Sequence, residues 1–509
     1  MRILIFHGYL LGGTGSNVYN SGLAAALARA GHEVHLLCQE RAPFDHAWVD
    51  AKGDWDSGSL RVEARREPAR ATVYRPDIAG LLPVYVADRY EGVEARPFQD
   101  LSEAELNRYL ERNLAAVREV AQLARPDVAL ANHLVMGPLV LARGLAGLEI
   151  PYAVKIHGSA LEYTVKPHPR FMPFAREGLA GARGVLVGSR HTAESLWEAM
   201  DDPDLPARTR LGPPGVDVAE FTPRTPAAAR AGLEALIERL AAAPAQEGGS
   251  SFARDGGAAA AALATLEPER DRLVVFVGKL IGSKGVELLL AAWPLVLAQV
   301  PQARLMVVGF GGFREGLERL VADLAAGDLE AAGATRSENG EELPLLTAFV
   351  RGLSTDRAAS YRESAAGLPG RIAWAGRLEH SELADLLPIA DAMVVPSTFP
   401  EAFGMVAAEA AACGALPVVA RHSGLGEVAQ TLAGAVPAEA GPWLSFALGP
   451  EAVGDLAAAV AGWLQAPDEL RAATREAMVA ATRERYSWDG VARTVLSAAQ
   501  GRLDTLSAP

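Results

Sequence analysis

The chain has 509 residues, half of them hydrophobic and 22% charged, which is the composition of packed globular domains and not of disorder. A formal net charge of −14 argues against general nucleic-acid binding, which needs a cationic footprint, and disfavours broad adsorption to an anionic membrane. Two cysteines, Cys38 and Cys413, cannot build a disulfide framework or a four-thiolate zinc site, and read as small buried residues suited to a reducing compartment.

Length alone sets about two to four domains of about 150 residues each. The opening MRILIFHGYLLGG is too short in apolar core for a signal peptide and reads as a buried strand (2–6) running into a glycine loop. A helical pattern follows at 17–31 and a second apolar strand at 33–38. The segment 41–100 is long; its Arg61, Arg65, Arg66 and Arg70 read as a solvated face. Within it Arg75, Asp77, Asp88 and Arg89 sit among apolar and aromatic residues, in either an acceptor pocket or a structural flap. A capping-box pattern, Ser102 with Glu105, opens the next helix. Strands are expected at 127–132, 152–157 and 184–188.

The Pro- and Gly-rich stretch 211–223 marks a joint, and the pattern then restarts. Strands are expected at 272–278, 303–309, 371–376, 392–397 and 415–420, again separated by helices. Apolar strands alternating with helices make a parallel sheet covered on both faces. The fold class is therefore α/β, with two Rossmann-like, doubly wound domains and a central cleft at the carboxyl ends of both sheets. The first domain is expected at 1–210 and the second at 211–486, with insertions at about 225–270 and 325–370. The Ala- and Gly-biased first insertion reads as helices with a flexible middle, and both insertions as surface elaborations. No apolar run approaches the ~20 residues that span a bilayer, so the expected location is cytoplasmic.

Four segments carry candidate chemistry. In 396–420 a strand ends near Ser397, a loop carries Glu401, and a helix opening near Gly404 carries Glu409 on its second turn. The free N–H groups of such a helix start suit a diphosphate. Two glutamates eight apart also occur on ordinary exposed helices here (Glu103 and Glu111), so the strand–glycine–helix context makes the distinction. In 275–290, Lys279 and Lys284 follow a strand and can neutralise a pyrophosphate as point charges. Gly12, Gly13 and Gly15 follow the first strand, but Val18 stands where a dinucleotide fingerprint needs its third glycine. His157 lies just past a strand beside Gly158, placed either to donate to a sugar hydroxyl or as a satisfied structural histidine. Metal signals are poor: Asp54 and Asp56 form a D-x-D in an expected polar loop, and the HSE at 380–382 lacks the paired cysteines of a zinc deaminase.

Taken together these segments resemble the retaining glycosyltransferase family 4, which has the GT-B fold. The match is carried by PSTFPEAFGMVAAEAAACGALPVV, with its E-x7-E from Glu401 to Glu409, by GKLIGSKG, by GHEVHLLC and HGS, and by the tail RERYSWDGVARTVLSAAQ. Lys279 departs from the pattern by standing where the family usually has arginine. The resemblance implies a metal-independent transfer of a sugar from a nucleotide diphosphate sugar to a hydroxyl acceptor, without a further cofactor. It implies a donor site of Gly13, Lys279, Lys284, Glu401, Phe403, Gly404, Met405 and Glu409, with His157, Lys284 and Glu401 as the catalytic set. The acceptor is expected on the first domain, onto which a tail helix at about 487–509 packs. Acceptors of the implied class are a sugar, a sugar phosphate, an inositol phosphate or a lipid-linked hydroxyl, the last placing the enzyme peripherally on the inner membrane face. A sugar phosphorylase, a nucleotide-sugar epimerase and a non-catalytic nucleotide-sugar sensor stay open as alternatives.

Overall fold

The computed structural model describes residues 1–56, 58–85, 94–243 and 254–509. It divides into two compact units, the first made of Met1–Gly215 with Tyr486–Pro509, the second of Val216–Arg485. Both are α/β.

The strands of the first unit are β1 (Arg2–Phe6), β2 (Glu33–Leu37), β3 (Ala51–Asp56), β4 (Ser59–Ala64), β5 (Ala71–Arg75), β6 (Leu81–Val84), β7 (Glu94–Pro97), β8 (Val128–Asn132), β9 (Tyr152–Lys155), β10 (Gly184–Val187) and β11 (Thr209–Leu211). Among the described residues β6 and β7 pair as a small separate sheet, and the rest form one sheet in the order β11-β10-β9-β8-β1-β2-β5-β3-β4. It is parallel except for the β3–β4 hairpin. Side chains alternate across a strand, so a sheet covered on both faces needs apolar residues at every position. β1 shows this: Leu4 and Phe6 enter one buried cluster, Ile3 and Ile5 the other. Ser102 accepts from the Glu105 N–H while the Glu105 carboxylate accepts from the Ser102 N–H, which caps the helix Glu103–Ala124 at both groups.

In its first half the segment 41–100 adds β3, β4 and β5 to the main sheet. Asp54 and Asp56 therefore lie on β3 and not in a polar loop. β4, at the edge of the sheet, is exposed at every residue but Leu60, so the hairpin lacks the apolar run that marks a buried strand. Asp88 and Arg89 lie outside the described residues, as does the middle of the first insertion, 244–253.

The second unit holds β12 (Arg272–Lys279), β13 (Ala303–Phe310), β14 (Ile372–Gly376), β15 (Ala392–Val395), β16 (Leu416–Ala420) and β17 (Ser445–Phe446). They form one parallel sheet in the order β14-β13-β12-β15-β16-β17. At its amino edge the buried Asp391 carboxylate accepts from Leu273 N–H at 3.0 Å and from Arg475 at 2.9 Å, and pairs with Arg471. The region 225–270 contributes helices Pro226–Ala242 and Gly256–Leu263; 325–370 contributes Leu329–Gly333, Pro344–Gly352 and Thr355–Ala365.

The helix Trp488–Ala499 belongs to the first unit, where Trp488 enters the same buried cluster as Tyr19 and Leu23. A Cβ on Gly22 or on Gly215 would stand 2.4 Å from the indole, so both glycines are what admit the ring. Truncating so enclosed an indole leaves a cavity costing about 3–5 kcal/mol. Trp488→Ala is expected to lower the urea midpoint of the first unit by that equivalent, followed by tyrosine and tryptophan fluorescence.

Candidate active site

In an open parallel sheet the crevice for ligands lies at the carboxyl ends, where strand order reverses and neighbouring loops run to opposite faces. In the second unit the reversal falls between β12 and β15. Lys279 ends β12, and the turn Gly282–Lys284 follows. Gly285 has φ +65°, and a Cβ there would meet the Pro396 carbonyl oxygen at 2.1 Å. Only glycine lets this turn lie against the end of the β15 loop. The Ser283 carbonyl then accepts from the N–H groups of Thr398 (2.9 Å) and Phe399 (3.3 Å), which stitches the two loops together.

This seam brings Lys284 Nζ into an ion pair with Glu401 Oε1. Ser397 Oγ donates to the same oxygen at 2.8 Å. The Glu401 N–H donates to Ser423 Oγ (2.8 Å), and Gly424 N–H donates to the Glu401 carbonyl (2.9 Å). His422 closes the circuit: Nε2 donates to the Ser397 carbonyl at 2.7 Å, so Nδ1 receives the Ser423 hydroxyl at 3.1 Å. Glu401 is thereby fixed in backbone and side chain, and its Oε2 makes no hydrogen bond to a described residue. Ser397, His422 and Ser423 were not singled out from the sequence, because a serine or histidine in a loop carries no periodic or spacing signal.

Gly404, at φ +123°, precedes the helix Met405–Cys413, with Phe403 buried beside it. The N–H groups of a first helical turn have no partner within the helix, and with the dipole they favour an anion. Glu409 is 2% exposed on the second turn. Its Oε1 accepts from His380 Nε2 at 2.8 Å, at the start of the helix His380–Leu386. Burial works against a charge on this imidazole, but the Glu409 carboxylate and the more distant Glu220 and Asp217 outweigh it, and the pKa of His380 is raised. In the sequence His380 stands out only in an HSE triplet that lacks the cysteines of a zinc site.

In the first unit strand order reverses between β1 and β8. Gly13, at φ +91°, lies in the loop between β1 and the helix Gly15–Arg29. His157 follows β9, with Nε2 2.8 Å from Asn132 Oδ1 and its ring edge-on to Tyr19 at 5.0 Å. Burial, then the neighbouring His133, Lys155 and His7, hold its pKa well below the ordinary value. The other singled-out pairs are spent elsewhere: Asp54 pairs with Arg75, Asp56 with Arg61, and Asp77 with Arg112. Among the described residues no group of three or more His, Cys, Asp or Glu side chains is gathered to hold a metal ion. Cys38 and Cys413 are both buried free thiols. No helix among the described residues is long and apolar enough to cross a membrane.

Comparison with known proteins resolves the family. Residues 14–215 match the glycosyl transferase 4-like domain and residues 346–483 match glycosyl transferases group 1. The chain belongs to glycosyltransferase family 4. This family 4 chain is 26% identical over 403 residues to a D-inositol 3-phosphate glycosyltransferase of Nocardioides, covering 74% of this chain and 73% of that protein. It is 33% identical over 178 residues to a GDP-mannose-dependent α-(1-6)-phosphatidylinositol monomannoside mannosyltransferase of Mycolicibacterium smegmatis, covering 34% and 43%. Among solved structures it is similar to sucrose-phosphate synthase of Thermosynechococcus elongatus (TM-score 0.59, 19% identity, 99% of both chains). It is also similar to HepE of Anabaena in complex with UDP and glucose (TM-score 0.57, 15% identity, 99% and 100%). The fold of the family 4 chain is therefore GT-B, and it is a retaining, nucleotide-sugar-dependent glycosyltransferase.

Two outcomes follow from this geometry. In Gly285→Ala the 2.1 Å approach to Pro396 forces the turn open and withdraws Lys284 from Glu401. Transferase activity is expected to fall about 100-fold, as for the loss of one charge-stabilising group, and the melting temperature to fall with it, because the left-handed backbone and the clash with a carbonyl both penalise alanine. For His380, the folded-state pKa lies above the unfolded one. Its contribution is thus fully present below about pH 6.5 and is lost as pH rises through the folded pKa. Melting temperatures measured from pH 6 to 9 should converge between wild type and His380→Gln as pH rises.

Proposed function

We propose that the second unit holds the donor and the first the acceptor, and that the chain glycosylates a hydroxyl of an inositol phosphate or a similar polyol phosphate. The observation that carries the donor assignment is Glu401, locked by Lys284, Ser397 and Ser423 beside a glycine-headed helix that buries Glu409. Departure of the leaving group puts negative charge on the diphosphate. Lys279, Lys284 and the N–H groups of Phe403, Gly404 and Met405 are the groups that stabilise it, with Gly13 a further donor-binding residue. Glu401 orients the donor sugar through Oε2. Glu409, whose Oε1 serves His380, takes the ribose diol on Oε2. His157 contacts a sugar hydroxyl, and the acceptor attacks on the face that the diphosphate leaves.

The inositol phosphate class is supported by the curated relatives, several of which are D-inositol 3-phosphate glycosyltransferases. The mycolicibacterial relative named for a phosphatidylinositol mannoside makes a lipid-linked acceptor at the inner membrane face the competing outcome. Calorimetric titration with UDP, GDP and ADP is expected to give binding of one nucleotide. Glu409→Ala should weaken it about 10- to 100-fold, the worth of a hydrogen bond to a charged group. Folded protein that binds none of the three, yet releases sugar 1-phosphate from a glycoside in inorganic phosphate, would establish the phosphorylase reading instead. Transfer to free inositol phosphate but not to phosphatidylinositol in vesicles supports the acceptor assignment; the reverse overturns it.

A further inference from the structure

His157 is the end of a chain of buried side chains that runs to the glycine loop. Its Nε2 is 2.8 Å from Asn132 Oδ1; Asn132 Nδ2 donates to Asn20 Oδ1 at 2.8 Å; Asn20 Nδ2 donates to His7 Nδ1 at 3.0 Å. His7 Nε2 donates to Asn17 Oδ1 at 2.9 Å, and Asn17 Nδ2 donates to the Gly12 carbonyl at 2.6 Å. Asn17, Asn20 and Asn132 are fully buried and His7 is 2% exposed.

The direction of this chain is fixed at every link. Each amide nitrogen also faces, or ends on, a backbone carbonyl: Phe6 for Asn132 (3.3 Å), Ser16 for Asn20 (2.8 Å), Gly12 for Asn17. A carbonyl only accepts, so none of the three amides can be turned over without setting oxygen against oxygen. The Asn132 and Asn17 amide oxygens must then face the Nε2 atoms of His157 and His7, which carry the protons, while the Asn20 oxygen accepts from Asn132. His7 Nδ1 receives an amide N–H and so bears a lone pair; burial holds this imidazole neutral, its pKa lowered to about 4. The groups facing His157 are His133 (ring centroids 4.8 Å apart), Lys155, His7 and the edge of Tyr19; none is a carboxylate that would draw a second proton onto its ring.

We propose that Asn132 is a positioning residue for sugar transfer: with Asn20, His7 and Asn17 it holds His157 as the Nε2–H tautomer, so that the imidazole offers an Nδ1 lone pair to a sugar hydroxyl and cannot donate to it. The chain also ties this setting to Gly12, one residue from Gly13 of the expected donor site. The proposal rests on the reading of His157 as a sugar contact. It makes Asn17 and Asn20, both on the first turns of the helix Gly15–Arg29, part of the same device.

The test is the pH profile of Asn132→Asp. The carboxylate gives His157 a charged partner, raises its pKa into the neutral range and places a proton on Nδ1 below that pKa. The kcat ratio of Asn132→Asp to wild type is expected to fall about tenfold for each pH unit below that pKa and to recover above it, with KM for the donor little changed. A ratio that does not vary with pH overturns the proposal. Nitrogen-15 spectra of histidine-labelled wild type, assigned by subtraction of the His157→Ala spectrum, test it without the variant having to fold. An unprotonated Nδ1 on His157 supports it; an Nδ1–H overturns it. Wild-type kcat in His157→Ala overturns the sugar contact itself and the proposal with it. Loss of kcat in His157→Ala together with an unvarying Asn132→Asp ratio overturns the proposal alone.

Discussion

A parallel sheet with helices on both faces must send each strand off its carboxyl edge into a loop, and where strand order reverses two adjacent loops part company. Every residue given a chemical role here hangs on that constraint. In the second unit the loops after β12 and β15 leave the reversal carrying Lys284 and Glu401. In the first, the strand ends at the reversal carry His7 and Asn132, with His157 one strand further on. The sheets supply the places; hydrogen-bond circuits through serine, asparagine and histidine then fix the side chains within them.

The two circuits use the same chemistry for different ends. Around Glu401 a backbone N–H, two hydroxyls, an imidazole and a lysine converge so that one carboxylate oxygen is satisfied and the other is left for a ligand. Around His157 three amides and a second imidazole form a line in which every donor has an acceptor. A polar group left unpaired inside such a circuit is costly, so the pairing holds each circuit in one arrangement.

The sheet strands were legible because a strand buried on both faces must be apolar along its buried length, as β15 is throughout, β1 after Arg2, and β12 between Arg272 and Lys279. The edge was not: β3 carries Asp54 and Asp56, which read as a polar loop, and β4, at the edge of the sheet, is exposed at every residue but Leu60. Lys284, Glu401 and Glu409 stood out because strand, glycine turn and helix are contiguous in the chain. Their partners did not. His380 reaches Glu409 across 29 residues, and Asn132 reaches Asn20 across 112, distances over which sequence pattern carries no information.

The placement of residues 486–509 bears on how the molecule is made. Trp488 fills a pocket shaped by Gly22 and Gly215, so the first unit's interior is finished by residues that follow the whole second unit in the chain. The second unit, Val216–Arg485, is continuous in the chain and is fully synthesised before that indole exists. Vectorial synthesis, which usually favours the amino-terminal domain, is here reversed in its completion order: the first unit to emerge is the last to close. Until then the Tyr19 and Leu23 face of its sheet-covering helix lacks the helix that buries it.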